Sequence, residues 1–270
     1  MLPAFHLCRV DEALAGTLFH RKLHHFPVID STNNRALADA QAGAEAGQVY
    51  IADEQTAGRG RGGHTWHSEP ERGLYLTMLV RPALSSNAVL TLSLLTALAA
   101  AAAIEQVTAL RIDLRWPNDL VFGSGPARKL GGILTEAAST PAGALRHAAV
   151  GIGINLNQAD FPTELAGAAT SMLRETGAAV SREALAVAFL REMDAELLSL
   201  TCSSDDTKHP ADVLGRFEER STWACGKHVR VDEDGGYTGV TDGLTADGLL
   251  RVCRLDGSVR VVRHGGVREL

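Results

Sequence analysis

RWPNDLVFGSGPARKLGGILTEAASTPAGALRHAAVGIGINLN, residues 115–157, alternates apolar runs with short turn-forming clusters. Just before it, Leu110, Ile112, Leu114 and Trp116 alternate with Arg111, Asp113 and Arg115, which is the pattern of a half-buried strand. Pro117 ends that strand, and Asn118–Asp119 suits a turn. LVF then reads as a strand, GSGPA as a turn, RKLGGILTEA as the returning strand, STPAGALR as the next turn and HAAVGIGINL as the next strand. Connections this short join antiparallel neighbours, because a parallel pair needs a long crossover.

The flanking sequence supplies the rest of the layout. Phe26, Val28 and Ile29 mark a short strand, and Asp30, Ser31 and Thr32 are good cap types before an alanine-rich helix. VYIADEQ (49–55) is a strand, and GLYLTMLVRP (73–82) is a buried strand ended by Pro82. Residues 91–108 form an alanine-rich helix, apolar on most sides and therefore placed in the core. Ser181 caps a long amphipathic helix through Leu200, Asp205 to Pro210 reads as a loop, and residues 211–220 make one more short helix. From Thr222 onward short strands with glycine turns predict a small barrel. The expectation is an α+β fold: a mostly antiparallel mixed sheet with helices packed on it, over residues 1–221, and a small C-terminal β-barrel over 222–270.

Composition narrows the function classes. With 45% hydrophobic and 21% charged residues over 270 positions, the chain can bury a sizeable core. A formal net charge of −6 argues against general affinity for nucleic acid or anionic lipid. The longest apolar stretch, Leu92 to Ile104, contains Ser93 and Thr96 and falls short of the roughly 20 residues of a membrane span. The first 25 residues hold one short helical pattern, with no signal-peptide layout and no room for a helix-turn-helix. Cys8, Cys202, Cys225 and Cys253 are scattered, which suits reduced thiols in the cytoplasm.

The densest cluster of unusual residues is QTAGRGRGGHTWHSEPERG (55–73), where five glycines crowd residues 58–73 with Arg59 and Arg61 among them. Glycine lets backbone N–H groups wrap an anion, and arginine adds forked, permanent charge, so the loop suits a phosphate. A solvated surface turn or an RNA-binding RGG segment is the competing account, although an RGG segment belongs in a low-complexity tail and not between two strands. Lys129, followed by Gly131 and Gly132 inside a strand, can neutralise a carboxylate or phosphate beside a closely approaching ligand; a strand-end lysine in water is the ordinary alternative. Asp119 beside Asn118 is a polar anchor or plain turn chemistry. Gly151 and Gly153 repeat the bare-backbone pattern, and Asn155 follows where a polar group can face the same cavity. Ser31, Thr32 and Asn33 can hydrogen-bond a small polar ring while also capping a helix. His20 and His24 have metal-ligand spacing but no third ligand nearby, so a surface helix is the better account.

Together DSTN (30–33), DEQTAGRGR (53–61), Trp66, GLYLTMLVRP (73–82), RWPNDL (115–120), KLGGILTE (129–136) and VGIGINLN (150–157) resemble the biotin–protein ligases, in that family's order and spacing. The resemblance implies a class II synthetase-like catalytic domain with an SH3-like C-terminal cap. It implies that biotin and ATP, with Mg²⁺ on the ATP phosphates and no metal site made by protein alone, form biotinoyl-5′-AMP. The biotinyl group then passes to a lysine of a biotin carboxyl carrier protein. It implies that Ser31, Thr32, Asn33 and Gln55 hold the ureido end of biotin, with Arg59, Gly60, Arg61, Lys129, Gly131 and Gly132 completing the biotin site. Arg59, Arg61, Trp66, Asn118, Asp119, Lys129 and Asn155 are implied on the nucleotide side, and Lys129 and Arg61 as the catalytic cations. The absence of an N-terminal DNA-binding domain implies the monofunctional type, cytoplasmic, with no DNA or membrane partner; a homodimer stays open.

The sequence departs from the family pattern at Gly62 and His64, which stand where cations are common, and at SEPERG after Trp66. If His64 faces the adenylate phosphate, it helps only when protonated. Lipoate–protein ligase is the rival enzyme with the same chemistry but without the G-R-G-R…W loop. A nucleic-acid-binding protein using the RG loop is the rival non-enzyme. The glycine density also predicts a loop that orders over bound ligand and shields the mixed anhydride from water.

Overall fold

The computed structural model describes residues 5–82, 84–85, 89–123, 127–202, 208–233 and 235–270. After a short helix α1 (Leu7–Ala13), strand β1 (Leu23–Ile29) leads into helix α2 (Thr32–Gln41), then β2 (Val49–Gln55) and β3 (Gly73–Val80). Helix α3 (Val89–Thr108) is followed by β4 (Asp113–Arg115), β5 (Asp119–Phe122), β6 (Arg128–Ser139) and β7 (Leu145–Asn155). Helices α4 (Met172–Thr176), α5 (Arg182–Cys202) and α6 (Lys208–Arg220) precede β8 (Cys225–Val231), β9 (Tyr237–Leu244), β10 (Leu250–Cys253), β11 (Val259–Val262) and β12 (Val267–Glu269).

The first seven strands make one mixed sheet in the order β1-β2-β3-β7-β6-β5-β4. Only β1 and β2 run parallel, joined through α2, and every other pair is antiparallel. The α+β expectation holds, including the antiparallel run from β4 to β7. The last five strands form an antiparallel sheet in the order β11-β10-β9-β8-β12, the SH3-like C-terminal unit.

Strand alternation sorts the central sheet into two faces. Val49, Ile51, Leu74, Leu76, Met78, Val80, Val150, Ile152 and Ile154 belong to the large core with α3 and α5. Tyr50, Leu79 and Ala149 turn the other way, against Ala36 and Ala40 of α2. Helix α2 covers only part of this second face, and the remainder is left to the site.

Several expectations shift. The apolar stretch at 92–104 lies inside a 20-residue helix, α3, long and apolar enough by composition to cross a membrane. It is instead the core helix, packed against β6, α5 and α6, and a helix covered on several sides is apolar all round. Its hydroxyls are satisfied locally: Thr96 Oγ1 donates to Leu92 O at 2.7 Å, and Ser93 Oγ to Thr135 Oγ1 at 2.8 Å. His20 and His24 do not share a helix. His20 lies in a turn and His24 on β1, stacked on Tyr50, because residues 23–29 pair with β2. Of residues 110–116 only 113–115 form a ladder, although Ile112, Leu114 and Trp116 are buried as the alternation requires. Helix α6 starts at Lys208, inside the stretch expected to be loop; residues 205–207 of that stretch and 124–126 of the GSGPA turn lie outside the described residues. Cys8, Cys225 and Cys253 are free, and the side chain of Cys202 lies outside the described residues.

Arg182, the first residue of α5, ties that helix to the sheet. It is 7% exposed, and it donates to Gly73 O at 3.1 Å and to Asp53 Oδ1 at 2.5 Å. Arg182→Ala would leave Gly73 O without this donor and Asp53 Oδ1 facing His25 Nε2 at 3.0 Å, so urea denaturation should show a loss of about 2 kcal/mol. A loss below about 1 kcal/mol, the range of an exposed pair, would contradict this account.

Candidate active site

The cleft opens on the uncovered part of the second sheet face, beside the N-terminus of α2. Ser31 takes the cap position with extended backbone (φ −158°, ψ 131°), and its Oγ accepts from Asn34 N at 3.4 Å. This fixes the first turn of α2 and directs Thr32 and Asn33 into the protein, where both are buried. Thr32 donates through N and Oγ1 to Gln55 Oε1, at 2.9 and 3.0 Å, while Thr77 Oγ1 reaches Thr32 Oγ1 at 2.8 Å and Asn33 Oδ1 at 2.6 Å. Asn33 Nδ2 donates to Glu136 Oε2 at 2.9 Å. The result is a rigid polar end to a cleft with about 440 Å³ of empty space.

Glycines clear the floor of this cleft. A Cβ on Gly151 would lie 2.1 Å from Asn33 Oδ1, and one on Gly153 would lie 2.5 Å from Trp66 Cε2. Both sit at the same parity as Ala149, on the α2 face, so the sequence GIGIN keeps bare backbone where Asn33 and Trp66 come down.

The glycine–arginine loop is a compact hairpin. Gly60 N donates to His64 O at 2.7 Å and Trp66 N to Gly58 O at 2.9 Å, with a one-turn 3₁₀ helix at Arg61–Gly63 between them. Gly62 has φ +70°, a conformation that favours glycine, which gives a local reason for glycine where the resemblance leads one to expect a cation. The hairpin lays Trp66 over the sheet. Its Nε1 is buried against the bare backbone of Gly153, without a hydrogen-bond partner among the described residues.

Lys129 stands beside that ring, with Nζ 5.7 Å from the indole centroid and 2.5 Å from Asp119 Oδ1. Arg115 Nη2 contacts the other Asp119 oxygen at 2.5 Å. Burial raises the Asp119 carboxyl, but the Lys129 and Arg115 charges outweigh it and hold the group below the usual carboxylate range. Lys129 is fixed through its backbone as well: its N donates to Ala168 O at 2.7 Å, and its O accepts from Thr170 N at 2.9 Å.

Beyond Trp66 lies a second hollow of about 860 Å³, with Phe161, Leu165 and Ala169 as an apolar wall and Arg115, His64 and Asn155 as polar edges. Trp66 and Lys129 line both spaces.

The structure brings together most of the residues read from sequence. Ser31, Thr32, Asn33, Gln55, Arg59, Gly60, Trp66, Asn118, Lys129 and Gly132 all line the cleft. Two, Gly131 and Arg61, are placed differently from the expectation. Gly131 faces the opposite side, where a Cβ would meet Gly153 O at 2.8 Å and Leu120 at 3.0 Å, because it alternates with Gly132 along β6. Arg61 lies outside the cleft and donates to Gly265 O of the C-terminal unit at 3.3 Å. Burial lowers its pKa against the pull of Asp119. Asn155 lines the second hollow, and its Nδ2 is committed to Thr170 O at 3.0 Å. Arg59 is braced by Asn34 Oδ1 at 2.8 Å and Glu136 Oε2 at 2.7 Å, and Asn118 Nδ2 holds Ile133 O at 2.9 Å. His64 is exposed at the loop. Thr77, Glu136 and Arg115 escaped the sequence reading. Parity was the available signal: Thr77 is two residues from Tyr75 and Leu79, and Glu136 four from Gly132, each on the site face. Among the described residues, no three His, Cys, Asp or Glu side chains gather into a metal-binding group.

The site has counterparts among known proteins. The sequence model of the biotin/lipoate A/B protein ligase family matches residues 25–155. The chain is 33% identical over 266 residues to the biotin–[acetyl-CoA-carboxylase] ligase of Mycobacterium tuberculosis, covering 96% of this chain and 93% of that protein. It is 38% identical over 157 residues to the bifunctional ligase/repressor BirA of Bacillus spizizenii, covering 57% of this chain and 47% of that protein, so it spans about half of that relative's length. The biotin protein ligase from Aquifex aeolicus in complex with biotin and ATP is similar with a TM-score of 0.75 at 28% identity, covering 93% of this chain and all of that one. A polar cleft floored by glycine, a lysine shared with a second hollow, and relatedness over nearly the whole length agree: this chain belongs to the biotin/lipoate A/B protein ligase family.

Proposed function

We propose that this chain is a biotin–protein ligase that activates biotin with ATP and passes it to a lysine of a biotin carboxyl carrier protein. The observation that carries the reading is that Lys129 and Trp66 line the cleft and the second hollow at once. A carboxylate reaching out of the first and a nucleotide seated in the second would meet at Lys129. The M. tuberculosis relative is named for this activity, and the Aquifex structure holds biotin and ATP.

In this reading Thr32, Asn33 and Gln55, prearranged by Thr77, hold the ureido ring. The biotin carboxylate oxygen attacks the α-phosphorus of ATP, the bond from that phosphorus to the bridging oxygen breaks, and pyrophosphate leaves with that electron pair. Lys129 stabilises the charge gathered at the reacting pair, a contribution on the order of 3 kcal/mol in a dry site. The carrier amine then attacks the acyl carbon of the mixed anhydride, loses a proton and releases AMP. Mg²⁺ arrives with the nucleotide phosphates. Residues 1–221 form the catalytic unit and 222–270 the cap. The reading places the protein in the cytoplasm and gives it no DNA partner.

Biotin-dependent exchange of labelled pyrophosphate into ATP tests the activity directly; exchange with lipoate but not biotin would overturn it. On the same assay Lys129→Ala should reduce exchange by roughly a hundredfold or more, while calorimetry shows biotin affinity changed by less than about tenfold. Normal exchange in the mutant would refute the role given to Lys129.

Gly153→Ala places a methyl group 2.5 Å from the present position of Trp66 Cε2, so the indole must move. We expect a shifted tryptophan emission and adenylate release faster by about tenfold, at little cost in global stability. An unchanged emission spectrum together with unchanged release would show that Trp66 does not depend on the bare backbone at this position.

A further inference from the structure

A ligase that hands an acyl group to a lysine carries a hazard in its own lysines. The chain has four, Lys22, Lys129, Lys208 and Lys227, against 22 arginines. Lys22 Nζ donates to Ala46 O at 2.8 Å and Lys227 Nζ meets Glu269 Oε1 at 2.6 Å, and neither lysine lines the cleft or the second hollow. The side chain of Lys208 lies outside the described residues. Lys129 is the one described lysine that lines either space, and it lines both.

The proposed reaction puts Lys129 beside the activated carbonyl, where an uncharged amine is a nucleophile and an ammonium ion is not. An arginine would supply charge without that hazard. The surroundings of Lys129 hold it to the charged form. Its Nζ lies 2.5 Å from Asp119 Oδ1, and the Asp119 side chain is only 15% exposed. Arg115 Nη2 takes the other Asp119 oxygen at 2.5 Å, which keeps the acid a carboxylate, so the proton between Asp119 and Lys129 stays on nitrogen. The indole of Trp66, with its centroid 5.7 Å from Nζ, favours a cation as well. The lysine side chain lies across bare backbone, where a Cβ on Gly132 would meet Nζ at 3.2 Å. Of the other charged or titratable groups nearby, Arg61 acts on Asp119 from the loop, Arg128 is turned to Glu175 at 3.0 Å, and His64 and His67 line the second hollow.

We propose that Asp119 protects Lys129 from acylation by the mixed anhydride that the site itself makes. The inference rests on the ligase reading above and concerns the fate of its intermediate. With the carboxylate in place, the Nζ lone pair is held in an N–H bond. Without it, Arg115 alone faces the amine and favours its uncharged form. Nζ would then attack the acyl carbon of biotinoyl-5′-AMP and form an amide. AMP would leave with the electron pair of the broken C–O bond, and the amine proton would pass to water. That side reaction would consume the intermediate and remove the cation that the adenylation step uses. The chain's own lysine and the carrier's lysine are told apart by charge state.

The test uses the full chain with chemically prepared biotinoyl-5′-AMP and no carrier, and reads acylation at each lysine by peptide mass spectrometry. In wild type Lys129 should react no faster than Lys22 or Lys227, despite its place in the site. Asp119→Asn should raise the Lys129 rate at least about tenfold and leave Lys22 and Lys227 unchanged. Asp119→Glu, which keeps a carboxylate, should stay near wild type. An unchanged Lys129 rate in Asp119→Asn overturns the proposal, as does a rise shared by all three lysines, the mark of a loosened fold. So does a wild type in which Lys129 is the fastest of the three, a result that needs no variant to fold. Biotin-dependent exchange by wild type with no acylation of Lys129 in Asp119→Asn leaves the ligase reading standing and removes this one. Asp119-dependent protection of Lys129 without biotin-dependent exchange would remove the ligase reading alone.

Discussion

Asp119 is a shielded carboxylate held between two cations, and the site is organised around it. Shielding such a charge is unfavourable unless it is paired and hydrogen-bonded, and here Lys129 and Arg115 each take one oxygen at 2.5 Å. The arrangement turns a flexible lysine into a positioned one. Nζ is drawn to one point between the cleft and the second hollow, against the face of Trp66. Two cations against one anion leave a net positive charge there. The same cluster sits at the start of β5 and β6, beside the shift of register between Leu120 and Val121.

The second organising constraint is steric. Thr77, Gly151, Gly153, Gly132 and Glu136 are non-adjacent in sequence yet lie on one face of three neighbouring strands. Alternation gives the opposite face to the core with α3 and α5, whose large apolar side chains hold the sheet. The site face can therefore go without side chains where Asn33 and Trp66 approach, because sheet stability comes mainly from the other side. Helix α2 covers the rest with small residues, Ala36 and Ala40.

The C-terminal unit is joined to this framework by specific contacts. Trp116 Nε1 donates to Gly248 O at 2.9 Å, Thr222 N to Asp113 Oδ1 at 3.0 Å, and Arg61 to Gly265 O at 3.3 Å. Val229, Val231, Leu250 and Val252 extend the main core without a break. The loop that lays Trp66 over the sheet is thus braced from a part of the chain some two hundred residues away in sequence.

Sequence alone determined the α+β class, the antiparallel run from β4 to β7 and most of the cleft. Each depends on short-range rules: period-two alternation, turn residues between strands, a serine cap before an alanine-rich helix, and glycines at one parity of β7. The motif order also led to the family, because DSTN, GRGR, KLGG and GIGIN each carry a local chemical requirement. Local rules could not place residues whose neighbours are distant. The parallel pairing of β1 with β2 moved His24 into a strand, and burial on several sides made α3 apolar along its whole length. The opposite facing of Gly131 and Gly132, the bracing of Asn33 and Arg59 by Glu136, and the turn of Arg61 away from the cleft to Gly265 are likewise products of the assembled fold. Charge partners and strand faces are fixed only when the sheet closes and brings residues 33, 59 and 136, or 61 and 265, within hydrogen-bond reach.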